Sequence, residues 1–209
     1  MKIKICLMLL LFSTYTLGET IDVEYTSFYS HVKKLQNDDT QALRFAFGFK
    51  HIAQQRLCKV SSAKIVTQKQ TLPLVIEPSS RFTVPSDKIL KMAKAIVVID
   101  IEDQANQCDM SVQLETKPEY LSQKYTNEEL SDLLQQYTVF FDDMGGILSF
   151  MMPKVEGLVF HFNSNSAFSN SEFTLDKNSR LPLSTDKLKA ITTLNFPVKP
   201  IRVTALIEK

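Results

Sequence analysis

Glycine is scarce in this chain, with five in 209 residues. That leaves no Gly-rich loop able to cradle a phosphate, and no Gly-x-Ser-x-Gly nucleophile elbow occurs. Ser149 after Gly145-Gly146 is its nearest imitation. The three histidines, His31, His51 and His161, are scattered and have no partner at i+2 to i+4. With no HExxH and no Cys/His cluster, a transition-metal site has no sequence support, and no cofactor is expected. The three cysteines contain no CxxC pair, which argues against a redox-active dithiol. Net charge is also small, with 24 Lys and Arg against 23 Asp and Glu. A near-neutral chain offers no electrostatic basis for binding nucleic acid or an anionic membrane. A hydrolase with a non-standard site is therefore the weakest of the functional readings.

What is present begins with an N-terminal leader. Lys2 and Lys4 precede a short apolar run from Cys6 to Phe12, and small residues at Thr16 and Gly18 place a cleavage after Gly18. This is the pattern of a secretory signal peptide, residues 1–18, too short in its apolar run to span a membrane. Export to the periplasm is the expectation, with no transmembrane span once the signal is removed. Two cysteines then remain, Cys58 and Cys108, and an oxidising compartment favours one disulfide between them.

The remainder is soluble and globular in composition, at 44% hydrophobic and 22% charged. Residues 24–36 carry Tyr25, Phe28, Tyr29, Val32 and Leu35 on one helical face. From Leu43 to Phe49 the apolar positions alternate, as in a half-buried strand. Strands are expected over 57–67, 72–76, 95–101 and 108–114, with residues 19–23 as a lead-in. A Thr126–Glu129 capping box opens a second helix to about Phe141. Strands at 148–152, 155–162 and 201–207 follow, Gly157 marking a bulge.

Two blocks recur. LVIEPSSRFTVPSDKI (Leu74–Ile89) returns as FTLDKNSRLPLSTDKL (Phe173–Leu188), keeping Ser-Arg and Asp-Lys. The first helix, the Asn37-Asp38 that ends it and the following strand return 105 positions later. The expected fold is α+β: a tandem pair of helix-plus-antiparallel-meander units, residues 19–117 and 118–209, with helices packed on the sheet faces.

Few residues suggest chemistry. Arg81 and Arg180, the repeated arginines, could present two guanidinium forks to a small anionic ligand between the halves. The alternative, which the repetition favours, ties Arg81 to Asp87 and Arg180 to Asp186 as turn chemistry. Asp100, Glu102, Asp103 and Asp109 form an acidic patch without the glycine of an EF-type loop. Asp142-Asp143 reads as a turn. Phe140, Phe141, Met144, Met151 and Met152 form an apolar strip that serves as core or as a patch for an envelope partner.

Together, MMPKVEGLVFHF (Met151–Phe162), the helix before it and the single cysteine pair resemble an uncharacterised family of exported Gram-negative bacterial proteins, classed as a domain of unknown function. The resemblance extends over nearly all of the chain after the signal. It implies a periplasmic or envelope location and brings no active-site residues. The expected function is a non-catalytic binding or envelope-assembly module, with a soluble binder of a small anion as the alternative.

Overall fold

The computed structural model describes residues 18–145, 153–163, 168 and 173–208. Strand β1 (Glu19–Glu24) runs straight into helix α1 (Tyr25–Val32), which a 3-10 turn extends to Leu35. Then come β2 (Leu43–His51), the hairpin β3 (Val60–Val66) and β4 (Thr71–Leu74), α2 (Lys88–Met92), β5 (Ile96–Ile101) and β6 (Cys108–Thr116). The second half holds β7 (Lys124–Thr126), α3 (Asn127–Gly145), β8 (Val155–His161), β9 (Arg180–Ser184), α4 (Thr185–Ala190), β10 (Thr193–Asn195) and β11 (Arg202–Ile207). Helices and antiparallel sheets mix throughout, so the fold is α+β.

The same pairings recur in the two halves. β1 pairs antiparallel with β5, as β7 does with β10. β2 pairs with β6, as β8 does with β11. Phe47 in β2 also bridges to Phe82, as Phe160 in β8 pairs with Leu181 in β9. The β3–β4 hairpin, which extends the first sheet to the order β1-β5-β3-β4, has no counterpart among the described residues.

Pairing also corrects the register read from sequence. Tyr25 N–H donates to Ala95 O at 2.9 Å and Asn127 N–H to Thr192 O at 3.2 Å. Tyr25 therefore matches Asn127, and fully buried Phe28 matches fully buried Leu130. Phe47 likewise matches Phe160, so the counterpart of β2 is β8. The segment expected as a strand at 148–152 lies outside the described residues.

Three further expectations change. Residues 19–24 form an edge strand rather than a lead-in, concealed by three acidic residues in six and held by the β5 ladder and the packing of Ile21 and Val23 on the core. Asp142 and Asp143 lie within α3, on its exposed side, because the helix continues to Gly145. The expected boundary between the units, at residues 117 and 118, leads into a packed stretch: Leu121 and Tyr125 are buried, and the Tyr125 hydroxyl accepts from Ser122 N–H at 2.8 Å.

Aromatic packing holds the layers. Phe28 of α1 sits edge-on to Phe47 at 4.9 Å, and Tyr125 to Phe160 at 5.7 Å. Strand β2 is buried on both faces, Ala46 and Gly48 included, because the turn carrying Arg81 folds over its second face. Strands β6 and β11 lie side by side at the seam between the halves. Helix α3 clasps that seam from beneath. Its buried Tyr137 hydroxyl donates to Val203 O at 2.8 Å and sits 3.1 Å from Thr116 Oγ1. Gln136 Oε1 accepts from Ala42 N–H at 2.7 Å.

Candidate functional site

The recurring Ser-Arg motif is a turn. At its first occurrence Glu77 N–H donates to Arg81 O at 2.8 Å and Ser80 N–H to Glu77 O at 2.9 Å. In the second, Asp176 N–H donates to Arg180 O at 2.8 Å and Ser179 N–H to Asp176 O at 3.0 Å. Ser80 and Ser179 both adopt φ 57°. Each is the left-handed residue closing a three-residue hairpin loop, a place that a short polar side chain tolerates. The turns thus aim the two arginines from equivalent positions.

From there the two turns diverge. The Phe47–Phe82 bridge sets Arg81 beside Gly48, which pairs with Ser111. The second half places Arg180 beside His161, which pairs with Arg202. Gly48 and His161 are equivalent, as are Ser111 and Arg202. A Cβ on Gly48 would lie 3.3 Å from Arg81 Cγ, so glycine gives that side chain room to lie flat across β2. Its Nη1 donates to Ala46 O at 3.2 Å and Ser111 O at 3.3 Å, and its Nη2 to Ser111 Oγ at 3.2 Å. In the second half the His161 ring fills that room. Arg180 turns outward onto Asp176, Nε to Oδ2 at 2.8 Å, and Arg202 supplies the inner guanidinium.

Neither arginine takes the aspartate expected from sequence. Asp87 instead caps α2 by accepting from Ile89 N–H at 2.6 Å, and Ser184 rather than Asp186 caps α4. The reason is local: each Asp sits at a helix start, where free N–H groups compete for its oxygens or the chain has turned away.

Arg81 and Arg180 line one cleft between the halves, of about 480 Å³. Its walls are Lys50, Gln55, Leu57, Arg81, Ser111, Gln113, His161, Asn178, Arg180 and Arg202. Four are cationic, none is a carboxylate and only Leu57 is aliphatic. Arg81 is 6% exposed, no described carboxylate forms an ion pair with it, and its Nε–H has no partner. Burial first, then the nearby Arg202, disfavour its charge, and the more distant Glu115 and Glu77 partly offset this. Nε of Arg202 also lacks a hydrogen bond, Glu115 Oε2 being 4.0 Å away.

The acids of the seam point elsewhere. Arg44 binds Glu77 at 2.6 Å and Glu115 at 2.7 Å. Burial pushes the Glu115 carboxyl up, and Arg44 opposes that. Glu77 and Glu115 line a separate cavity of about 380 Å³, with Pro118, Leu121 and Ile201. Arg202 lines both.

His161 sits centrally in the cationic row. Arg202 Nη2 lies 3.2 Å from its Nδ1, and a guanidinium only donates, so Nδ1 accepts. The proton is then on Nε2, which donates to Thr204 Oγ1 at 3.1 Å. Burial first, then the charges of Arg202 and Arg180, push its pKa down to about 3. An unfolded histidine titrates near 6.5, so the fold favours the neutral ring. That contribution is complete above pH 6.5 and is lost as the pH falls towards 3. We expect about 2 kcal/mol of it to be gone by pH 5. Urea unfolding of wild type and His161→Gln at pH 7 and 5 checks this, and equal losses in both proteins would refute it.

The other sequence candidates fall elsewhere. Phe140 is buried against Phe45, its ring 5.7 Å away, and belongs to the core. Phe141 is half-buried, Met144 is exposed, and Met151 and Met152 lie outside the described residues. Of the acidic patch, Asp100 accepts from Thr20 and Ser62, Glu102 pairs with Lys59, and Asp103 with Arg56. Cys58, Asp103 and Cys108 come together, but the sulfurs are bonded to each other and cannot ligate a metal. No helix among the described residues is long and apolar enough to cross a membrane. Lys50 and Arg202 were not singled out by sequence. They belong to no motif, and only strand register brings them to the cleft.

No curated protein and no solved structure matches the chain. One family model does, over residues 17–162. The match is shorter than the resemblance read from sequence: it takes in Lys50, Arg81, His161 and both cysteines but stops before Arg180 and Arg202. It nonetheless spans most of the chain, which belongs to the family described as "Protein of unknown function (DUF2987)".

Proposed function

We propose that this protein is a non-catalytic binding module whose ligand is a hydrophilic anion held in the cleft between its two halves. One observation carries the reading: Lys50, Arg81, Arg180 and Arg202 converge on a cleft without a carboxylate in its walls, while Arg81 is buried with only neutral oxygens as partners. Burying a cation without a directly paired counter-charge is costly, and an anion in the cleft offsets that cost. Arginine forks suit oxyanions through paired N–H donors. Nothing in the walls pairs a nucleophile with a base, so binding is favoured over hydrolysis.

The leader-like residues 1–18 and the Cys58–Cys108 disulfide support export to an oxidising compartment, and we place the protein in the periplasm on those grounds. The matched pairings and turns of the halves support an origin by duplication, with the ligand at the junction of the copies.

Thermal unfolding in increasing phosphate, at constant ionic strength set with sodium chloride, tests the reading. The midpoint should rise with phosphate in wild type and respond far less in a Lys50→Gln, Arg180→Gln double variant. Equal responses of the two proteins would assign the effect to general salt and remove the cleft from consideration.

A further inference from the structure

Resting on the anion-binding reading, we infer that the ligand is a small carbohydrate or polyol bearing two phosphate groups, one recognised by each half of the protein.

The cations of the cleft fall into two sets on two different supports. Lys50 and Arg81 belong to β2 and the turn that folds over it. Arg180 and Arg202 flank His161 across β9, β8 and β11. Only Arg81 and Arg180 correspond between the halves, but each set joins one of them to a second cation, so the cleft presents two cationic groups on two supports. A volume of about 480 Å³ far exceeds what one phosphate fills, since a water takes about 30 Å³ of liquid.

Charge balance differs between the subsites. Arg81 has no carboxylate partner, so the first subsite is ready for an anion. In the second, Arg180 is held by Asp176 in an exposed pair, with side chains 44% and 32% accessible. Exposed pairs of this kind are worth little, and a phosphate carrying up to two charges can replace the carboxylate. Asp176 would remain seated in its turn, where Oδ1 accepts from the N–H groups of Asn178 and Arg180 at 2.8 and 3.0 Å. Arg180 can therefore move to the ligand without unmaking the turn that presents it.

The uncharged polar walls of the cleft suit hydroxyl groups. Gln55, Gln113 and Asn178 bring amides that donate and accept, and Ser111 brings a hydroxyl. With Leu57 as the single aliphatic wall, an acyl chain or aromatic ring finds little to cover it.

Titration calorimetry of the full chain at low ionic strength tests the inference with fructose-1,6-bisphosphate, fructose-6-phosphate and inorganic phosphate. The bisphosphate should bind at least about tenfold more tightly than the monophosphate, the second phosphate adding a charge-assisted pair. Arg180→Gln, which removes a cation from one of the two cationic groups, should bring that ratio close to one. If the ratio is already near one in wild type, the two-phosphate inference fails while the anion-binding cleft stands. If none of the three binds, both readings fail. Vesicles carrying phosphatidylinositol 4-phosphate identify the source. Vesicle binding that Arg180→Gln abolishes supports a headgroup with the same two-phosphate chemistry. Vesicle binding indifferent to Arg180→Gln counts against it.

Discussion

Replacing Gly157 with alanine is expected to destabilise the protein by about 3 kcal/mol, the upper range for forcing atoms into a packed site. An alanine Cβ there would lie 2.1 Å from the Leu183 carbonyl oxygen and 2.9 Å from Ser184 Cα. Both are backbone atoms of β9, so no side-chain rotation relieves the contact. The residue's φ of 159° lies at the edge of what other residues adopt. The glycine pairs with Ser184 on one side and Leu206 on the other, where the ladder slips between Leu206 and Ile207. That slip is the bulge expected from sequence, and the close approach of β9 explains why glycine stands there. Relief requires β8 and β9 to part, which also disturbs the Arg180–His161 pairing at the far end of the same ladder. Gly48→Ala is the informative contrast. Its Cβ would meet Ser80 O at 3.1 Å and Arg81 Cγ at 3.3 Å, and the arginine side chain can yield. Urea unfolding of both variants measures the difference. A Gly157→Ala midpoint equal to that of wild type would show that β9 shifts freely and sink the prediction.

The sequence disclosed local order well and lateral order poorly, for a physical reason. Turns and helix faces are written in neighbouring residues. The repeated Ser-Arg blocks were legible because a left-handed φ at Ser80 and Ser179 constrains a few adjacent positions. The amphipathic faces of α1 and α3 were legible through their spacing, but the alignment between them slipped by three residues. Helical neighbours lie three and four residues apart, so a shift of three preserves much of an apolar stripe. Strand β1 was missed because its alternation is only Ile21 and Val23 among three acidic residues, too short a signal to stand out, while the β5 ladder supplies its hydrogen bonds. The cleft was half legible. Arg81 and Arg180 stood out through repetition, whereas Lys50 and Arg202 reach the same space only through register. His161 read as an ordinary strand-face histidine, and nothing within a few residues of it foretells the arginine on either side.

Removing the disulfide should have the largest effect on stability, because it acts on the unfolded chain as well as the folded one. Cys58 and Cys108 lie 50 residues apart and are bonded in the structure, both buried. On the chain-entropy model, closing a loop of that length stabilises the fold by about 4 kcal/mol. The loop encloses the β3–β4 hairpin, the first Ser-Arg turn, α2 and β5, so its release frees much of the first half. The bond also bears on the cleft from two sides. Cys58 follows Leu57 and Gln55 in the wall, and its N–H donates to Phe49 O at 2.9 Å, beside Lys50. Cys108 opens β6, three residues before the Ser111 that receives Arg81. A Cys58→Ala, Cys108→Ala variant should therefore lose about 4 kcal/mol in urea unfolding and bind phosphate several-fold more weakly under conditions where it remains folded. Wild type treated with a phosphine reductant should approach the variant, and its stability should return on reoxidation. Full stability in the variant would refute the entropic role of the bridge. Lost stability with unaltered phosphate binding would instead confine that role to folding and leave the cleft held by the β2–β6 ladder and the Arg81 turn.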